Sequence, residues 1–331
     1  MGKQILKIVP ILLSVFLQGG SVPTHQREAA MPSVAVQGPL GMAQSCLSTE
    51  ADSGKIQVYH HKTGETMTLS MDAYLQGVLR GEMQGDYPME ALKAQAVAAR
   101  TYVYYLKNAG CTHPGGEPVC TDSNCCQAWV PVEDNWIYGP RVAEAVRETE
   151  GIVVTYDGAP IKAMYFSSSG GHTEDYAAVW NDLSYGYLQG VPSLNEQAYA
   201  FTDDVFMQEF SGWTILTQLR SRGYSISCDS AQLLENITNV RRSETGRVLS
   251  LQIDGVTIPG TEFRNCLGLR STHFYLQKMS GGNIGIVTLG FGHGVGLSQC
   301  GSAALAEAGY TYQEILQYYY TGVAVEWMPF R

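Results

Sequence analysis

Charge is scarce in this chain, and positive charge most of all. Of its 331 residues 16% are charged, with 21 Lys and Arg against 31 Asp and Glu, a net charge of −10. Proteins that grip nucleic acid are basic on the contacting face, so the balance argues against a nucleic-acid partner. It does not suggest a polyanionic substrate either, and it leaves a neutral glycan backbone compatible. Long apolar runs are also missing. The most apolar stretch, Ile8 to Leu17, is short of the roughly 20 residues a spanning helix needs, and Ile5 to Val22 reaches only if the bilayer adapts. A Gly-x-Ser-x-Gly nucleophile elbow is absent, which removes the usual support for a serine hydrolase pairing a serine with His172 or His293. The glycine spacing in Gly292-His293-Gly294-Val295-Gly296 does not fit a dinucleotide fingerprint, and no lysine follows as in a phosphate loop. There is no internal repeat.

Lys3 and Lys7 precede the short apolar run, the pattern of an export signal. Gln18-Gly19-Gly20-Ser21 is an ambiguous cleavage site, so residues 1–20 read as an uncleaved signal anchor, with the lysines inside and the rest of the chain extracytoplasmic. Residues 21–48 hold Gly, Pro, Ser and Gln without periodicity and read as a tether. From residue 49 to 331 the pattern is mixed α+β. Lys55 to Thr68 predicts a hairpin around Thr63-Gly64. Asp72 is placed to cap a helix over Ala73 to Arg80. A second helix is expected from Met89 to Lys107, then a short helix over Arg141 to Thr149 and strands over Gly151 to Tyr156 and Ile161 to Phe166. Residues 200–285, with alternating segments such as Val248 to Ile258 and a helix near Trp213 to Ser221, form a candidate second lobe, which predicts a central cleft. Ser298 starts an Ala-rich helix stopped by Gly309, and Thr311 and Glu314 form a capping box.

Glu82 is a lone carboxylate at a helix-to-loop junction, flanked by Val78, Leu79 and Met83. Apolar surroundings raise a carboxyl pKa toward the range useful for a general acid. The helix that follows is rich in Ala and Val and carries few long donors, among them Lys93, Gln95 and Arg100; it reads as the wall of a polar pocket. Ser167 to Gly171 ends a strand where glycines admit close backbone approach, and Gly292–Gly296 reads as a tight turn presenting His293, Ser298 and Gln299. His113, Cys120, Cys125 and Cys126 crowd one loop, which also contains Cys111. Four ligands of these types suit tetrahedral zinc in a closed, structural site. The alternative, for an extracytoplasmic protein with eight cysteines, is a set of disulfides, although adjacent Cys125 and Cys126 do not easily bridge each other.

Four segments carry a family resemblance: Gly81 to Thr101, Tyr165 to Glu174, Phe263 to Thr272 and Gly292 to Gly301. In this order they resemble the stage II sporulation protein D family, which includes amidase enhancers. The resemblance implies a membrane-anchored lytic transglycosylase that cuts the β-1,4 bond between N-acetylmuramic acid and N-acetylglucosamine in peptidoglycan and leaves a 1,6-anhydro end. It implies Glu82 as acid and base, and Lys93, Gln95, Arg100, Ser168, Ser169, His293, Ser298 and Gln299 as cleft residues. It further implies work in forespore engulfment beside a peptide-stripping amidase and a membrane scaffold. Some members carry a zinc loop of this shape followed by a pattern like Gln127-Ala128-Trp129, although they place a histidine where Cys125 stands. Cys300 departs from a position usually aromatic. A glycan-binding enhancer without activity is the competing expectation, and a hydrolytic muramidase would need the same acid; Asp86, Glu174 and Asp175 are the nearest rivals for activating water.

Overall fold

A glycine pair and an alanine-rich stretch explain how the elements meet. The computed structural model describes residues 54–199 and 205–330. The expected anchor and tether lie outside the described residues; among the described residues no helix is long and apolar enough to cross a membrane. The expected hairpin forms from β1 (Lys55–His60) and β2 (Glu65–Ser70), paired antiparallel from Lys55↔Ser70 to His60↔Glu65. Helix α1 (Met71–Glu82) follows without a loop. Its cap is Ser70, whose side chain accepts from the Ala73 N–H. Asp72 instead sits in the first turn, where its charge complements the helix dipole.

Helix α2 (Met89–Asn108) is the centre of the molecule. Ala91, Leu92, Ala96, Ala99 and Val103 face one hydrophobic cluster, and Ala94, Val97 and Ala98 face a second. It touches α1, α3 (Gly139–Glu148), the strand Ile152–Tyr156 and the helices Gln299–Glu307 and Tyr312–Tyr319. So many neighbours require small side chains, because a helix buried on all sides is apolar all round. The alanines therefore mark a core helix, which meets a polar cavity at Tyr102 and not at Lys93, Gln95 or Arg100.

The remaining pattern is α+β with several small sheets. Ser298 caps Gln299–Glu307, and Thr311 with Glu314 forms the capping box, both as expected. The expected strand over Ile161 to Phe166 shrinks to Tyr165–Phe166, paired in parallel with Leu297–Ser298. Residues 215–286 supply a third hydrophobic cluster of their own, including Ile215, Leu251, Phe263 and Ile286. It packs helices such as Gly212–Ser221 and Gly260–Leu267 with the strands Val248–Ile253 and Ile284–Leu289.

Candidate active site

Glu82 is the last residue of α1. On that helix Gly77 and Gly81 are one turn apart and clear a track for the segment after the cysteine loop. A Cβ on Gly77 would collide with the Trp129 indole, and one on Gly81 would meet the Ala128 carbonyl carbon at 2.9 Å. The Val130 N–H donates to the Gly77 carbonyl at 3.1 Å. With the segment lying this close, the Ala128 N–H donates to Glu82 Oε1 at 2.6 Å. Tyr165 and Gln299 also face the carboxylate. Gln299 Nε2 makes no hydrogen bond of good geometry, yet it lies close enough to favour the charged form. Tyr165 donates to Gln127 Oε1 at 2.9 Å, and Gln127 Nε2 donates to Tyr74 at 3.2 Å. Burial raises the Glu82 pKa above its ordinary value despite the opposing pull of Ala128, Gln299 and Tyr165. Burial and the nearby Glu82 charge also push the Tyr165 phenol well up, so it remains a donor.

The carboxylate opens into a cavity of about 740 Å3, within the usual size range of ligand sites. Tyr87, Tyr102, Ser167, Phe291, His293 and Gln299 are among its lining residues, and Glu82 is the only carboxylate lining it among the described residues. The rivals lie elsewhere. Asp86 is exposed, Asp175 accepts from the Gly190 N–H at 2.7 Å, and Glu174 is buried and accepts from Thr245 at 2.5 Å.

The structure gathers part of the expected residue set. Glu82, His293 and Gln299 line the cavity. His293 Nδ1 accepts from the Val295 N–H at 3.0 Å, and burial together with Arg264 and Arg247 lowers its pKa to about 3. It is therefore a neutral ring. Lys93, Gln95 and Arg100 are not lining residues. Lys93 pairs with Glu90 at 2.7 Å and Glu148 at 2.8 Å. Arg100 donates to the carbonyls of Ile152 and Val146. Gln95 is fully buried, and its amide finds no hydrogen-bond partner among the described residues. Lys93 is thus engaged by acids of its own helix and of α3, and Arg100 by backbone carbonyls, which the residue spacing could not reveal.

Ser168, Ser169 and Ser298 are not lining residues, and Ser169 and Ser298 are held by a buried acid that the sequence did not reveal. Glu196, 1% exposed, accepts from Ser298 at 2.6 Å, Ser193 at 2.5 Å, the Ser169 N–H at 2.6 Å and the Gly170 N–H at 3.3 Å. Ser168 pairs its backbone with Phe291 instead. The Glu196 network ties the serine strand to the cap that precedes Gln299. No periodicity or motif marks this glutamate. Glu196→Ala orphans the buried Ser169 N–H and removes the short acceptor of two hydroxyls, leaving Ser193 with Tyr319 and Ser298 with the more distant Ser167 carbonyl. An orphaned buried group costs about 1–3 kcal/mol before relaxation, and each lost hydrogen bond to a charged group about as much. Thermal unfolding should show a net loss of about 2–4 kcal/mol; an unchanged Tm would contradict the network's role.

The cysteine loop sits on the rim of the same cavity, where Cys125 and Cys126 are lining residues. Val119–Cys120 pairs in parallel with β1, and Tyr59 of β1 stacks on His113 with ring centroids 6.0 Å apart. The Cys125 and Cys126 N–H groups both turn back to the Asp122 carbonyl. The ligand atoms of His113, Cys120, Cys125 and Cys126 all fall within 4.8 Å of one another. Cys126 Sγ lies 3.9 Å from Cys125 Sγ and 3.4 Å from His113 Nε2. Zinc–sulfur bonds of about 2.3 Å at tetrahedral angles put two sulfurs about 3.8 Å apart. No disulfide joins these cysteines among the described residues, and the donor set fits a four-coordinate metal.

The family model described as Stage II sporulation protein matches residues 59–156, which hold Glu82 and the cysteine loop. The chain is 29% identical to Stage II sporulation protein D of Bacillus subtilis, covering 97% of this chain and 92% of that one. It is 31% identical to Stage II sporulation protein D of Bacillus amyloliquefaciens, covering 82% and 78%. It is also similar to the amidase enhancer of Bacillus subtilis, at 28% identity over 76% of this chain and 40% of the enhancer.

Proposed function

The chain belongs to the stage II sporulation protein D family, and on that premise we propose that it is a lytic transglycosylase acting on peptide-stripped peptidoglycan during sporulation. The observation that carries the reading is the solitary, half-buried Glu82 in a cavity with no second carboxylate among the described lining residues. Protonated Glu82 donates its proton to the oxygen of the β-1,4 bond between N-acetylmuramic acid and N-acetylglucosamine, and that bond breaks. Positive charge develops at C1 of the muramoyl ring. The resulting Glu82 carboxylate, held by Ala128 and faced by Gln299, then takes the proton of the ring's own C6 hydroxyl. The C6 oxygen closes on C1, forming the 1,6-anhydro end and restoring protonated Glu82. One group serves as acid and then as base, whereas hydrolysis with two carboxylates needs a second one across the scissile bond.

Products from purified strands should be one water lighter than hydrolysis products by mass spectrometry. Dominant reducing ends would make the protein a muramidase. The similarity to an amidase enhancer supports a second reading, a glycan-binding protein without activity; it predicts no products from purified strands and faster amidase turnover on addition of the protein. The proposal includes zinc, one per chain, held by His113, Cys120, Cys125 and Cys126 as a structural ion. It also includes a single-pass N-terminal anchor with the catalytic domain outside the cytoplasm, in a cleft between the main body and residues 200–285, and work beside a peptidoglycan amidase and a membrane scaffold.

A further inference from the structure

The cavity contains a positive charge with no assigned task. Two arginines line it, Arg80 and Arg264. Arg80 is committed: it donates to the Pro131 carbonyl, pairs with Glu133 at 3.7 Å and stacks over Trp136. Arg264 projects from the helix Gly260–Leu267, and its Nε donates to the Leu269 carbonyl at 3.2 Å. That bond fixes the plane of the guanidinium. No carboxylate among the described residues forms an ion pair with Arg264, although burial makes its charge costly. Its charge disfavours protonation of His293, which lines the same cavity. Phe291, 44% exposed, lines the cavity two residues before His293. His293 is neutral and cannot act as a second cation.

We propose that Arg264 binds a carboxylate borne by the saccharide in this cavity, the lactyl carboxylate of a muramoyl residue with no peptide attached, and so makes the site selective for peptide-free strands. The inference rests on the glycan reading of the site. A muramoyl residue carries an O-lactyl arm ending in a carboxyl group. When a peptide is joined there, the group becomes an amide and loses its charge. Arg is the side chain suited to a planar carboxylate, because its fork can make two parallel charge-assisted hydrogen bonds. A desolvated guanidinium without a protein counter-ion gains most from a partner that arrives with the ligand. Arg264 is a binding residue in this scheme and takes no part in proton transfer.

The test uses the full chain carrying Glu82→Gln, so that strands bind without being cut. Peptide-free oligosaccharide strands are titrated in two forms, with lactyl carboxylates free or converted to primary carboxamides, beside strands that retain peptides. The free carboxylate form should bind about 10- to 100-fold more tightly than the carboxamide form, the range of a hydrogen-bonded charge pair. Adding Arg264→Met should remove that difference and leave carboxamide binding within about twofold, and Arg264→Lys should restore part of it. If Arg264→Met does not fold, the ligand comparison on the protein that retains Arg264 still decides. Equal binding of carboxylate and carboxamide overturns the role of Arg264 and leaves the catalytic reading standing. Peptide-bearing strands that bind as tightly as free ones, through Arg264, also overturn it, since the anion would then belong to the peptide. Failure of every strand to bind brings down the glycan reading and this inference with it.

Discussion

Glu82→Gln should cut the rate of strand cleavage by about a thousandfold or more while leaving the fold and strand binding in place. Proton donation by one positioned group is worth about 10²- to 10⁴-fold, and in the proposed mechanism the same group serves both halves of the reaction. Gln keeps the oxygen that accepts from Ala128 at 2.6 Å, so the local geometry has no reason to change. Stability should hold or rise. Burial raises the Glu82 pKa in the folded chain. A carboxyl with a raised folded pKa favours the folded state below its unfolded pKa and loses that contribution as pH climbs through the folded value. Near neutrality the charged side chain is therefore a cost, which Gln removes. The same shift gives a pH signature for the parent protein: cleavage should decline as pH rises through the folded pKa of Glu82, because the first step needs the acid form. Near-normal turnover of the purified variant on peptide-free strands would remove Glu82 from the mechanism.

How this site could be read in advance depended on how far apart its parts lie along the chain. Caps and turns are local, so Thr63-Gly64, Ser298 and the Thr311–Glu314 box were legible. Glu82 was legible as an acid beside apolar neighbours at a helix end. Its partner Ala128 is 46 residues away, and a backbone N–H leaves no mark in side-chain chemistry. Glu196 meets Ser298 across 102 residues, and nothing near Asn195 announces it. The alanine-rich α2 was ambiguous for a physical reason: small side chains suit both a pocket wall and a helix packed on every side. Lys93, Gln95 and Arg100 fit a cleft only under the first alternative; the helix is packed on nearly every side and meets the cavity at Tyr102 instead. Gly77 and Gly81 needed the loop that crosses them before their spacing had meaning. The cysteine loop was legible because all four donors fall within 14 residues, His113 to Cys126, and needed only a turn to meet.

Loss of one ligand in that loop should have the second large effect, on stability first and on cleavage through it. Zinc should copurify at about one ion per chain, as a single four-donor site requires. Cys120→Ser or Cys126→Ser should cost about 3 kcal/mol or more, since binding of a structural ion contributes directly to folding free energy. For a domain of this size that is a fall in Tm of roughly 6–12 °C. The consequence for catalysis follows from the chain path. Cys126 is two residues from Ala128, whose N–H holds Glu82 Oε1, and one residue from Gln127, which accepts from Tyr165. An ion at Cys120, Cys125, Cys126 and His113 would fix the start of this clamp against β1, through Cys120 and the Tyr59–His113 stack. Releasing it frees Gln127 and Ala128 to drift, and the carboxylate loses its one backbone donor without any change at Glu82 itself. The ligand variants should therefore lower kcat more than they raise KM, even at temperatures where circular dichroism shows them folded. A slow chelator effect, paced by opening of the loop, is expected alongside. If elemental analysis finds no metal and thiol titration finds Cys120, Cys125 and Cys126 oxidised, disulfides hold the loop and the zinc assignment falls. A metal-bound protein whose ligand variants keep full kcat would leave the ion in place but cut its link to Glu82.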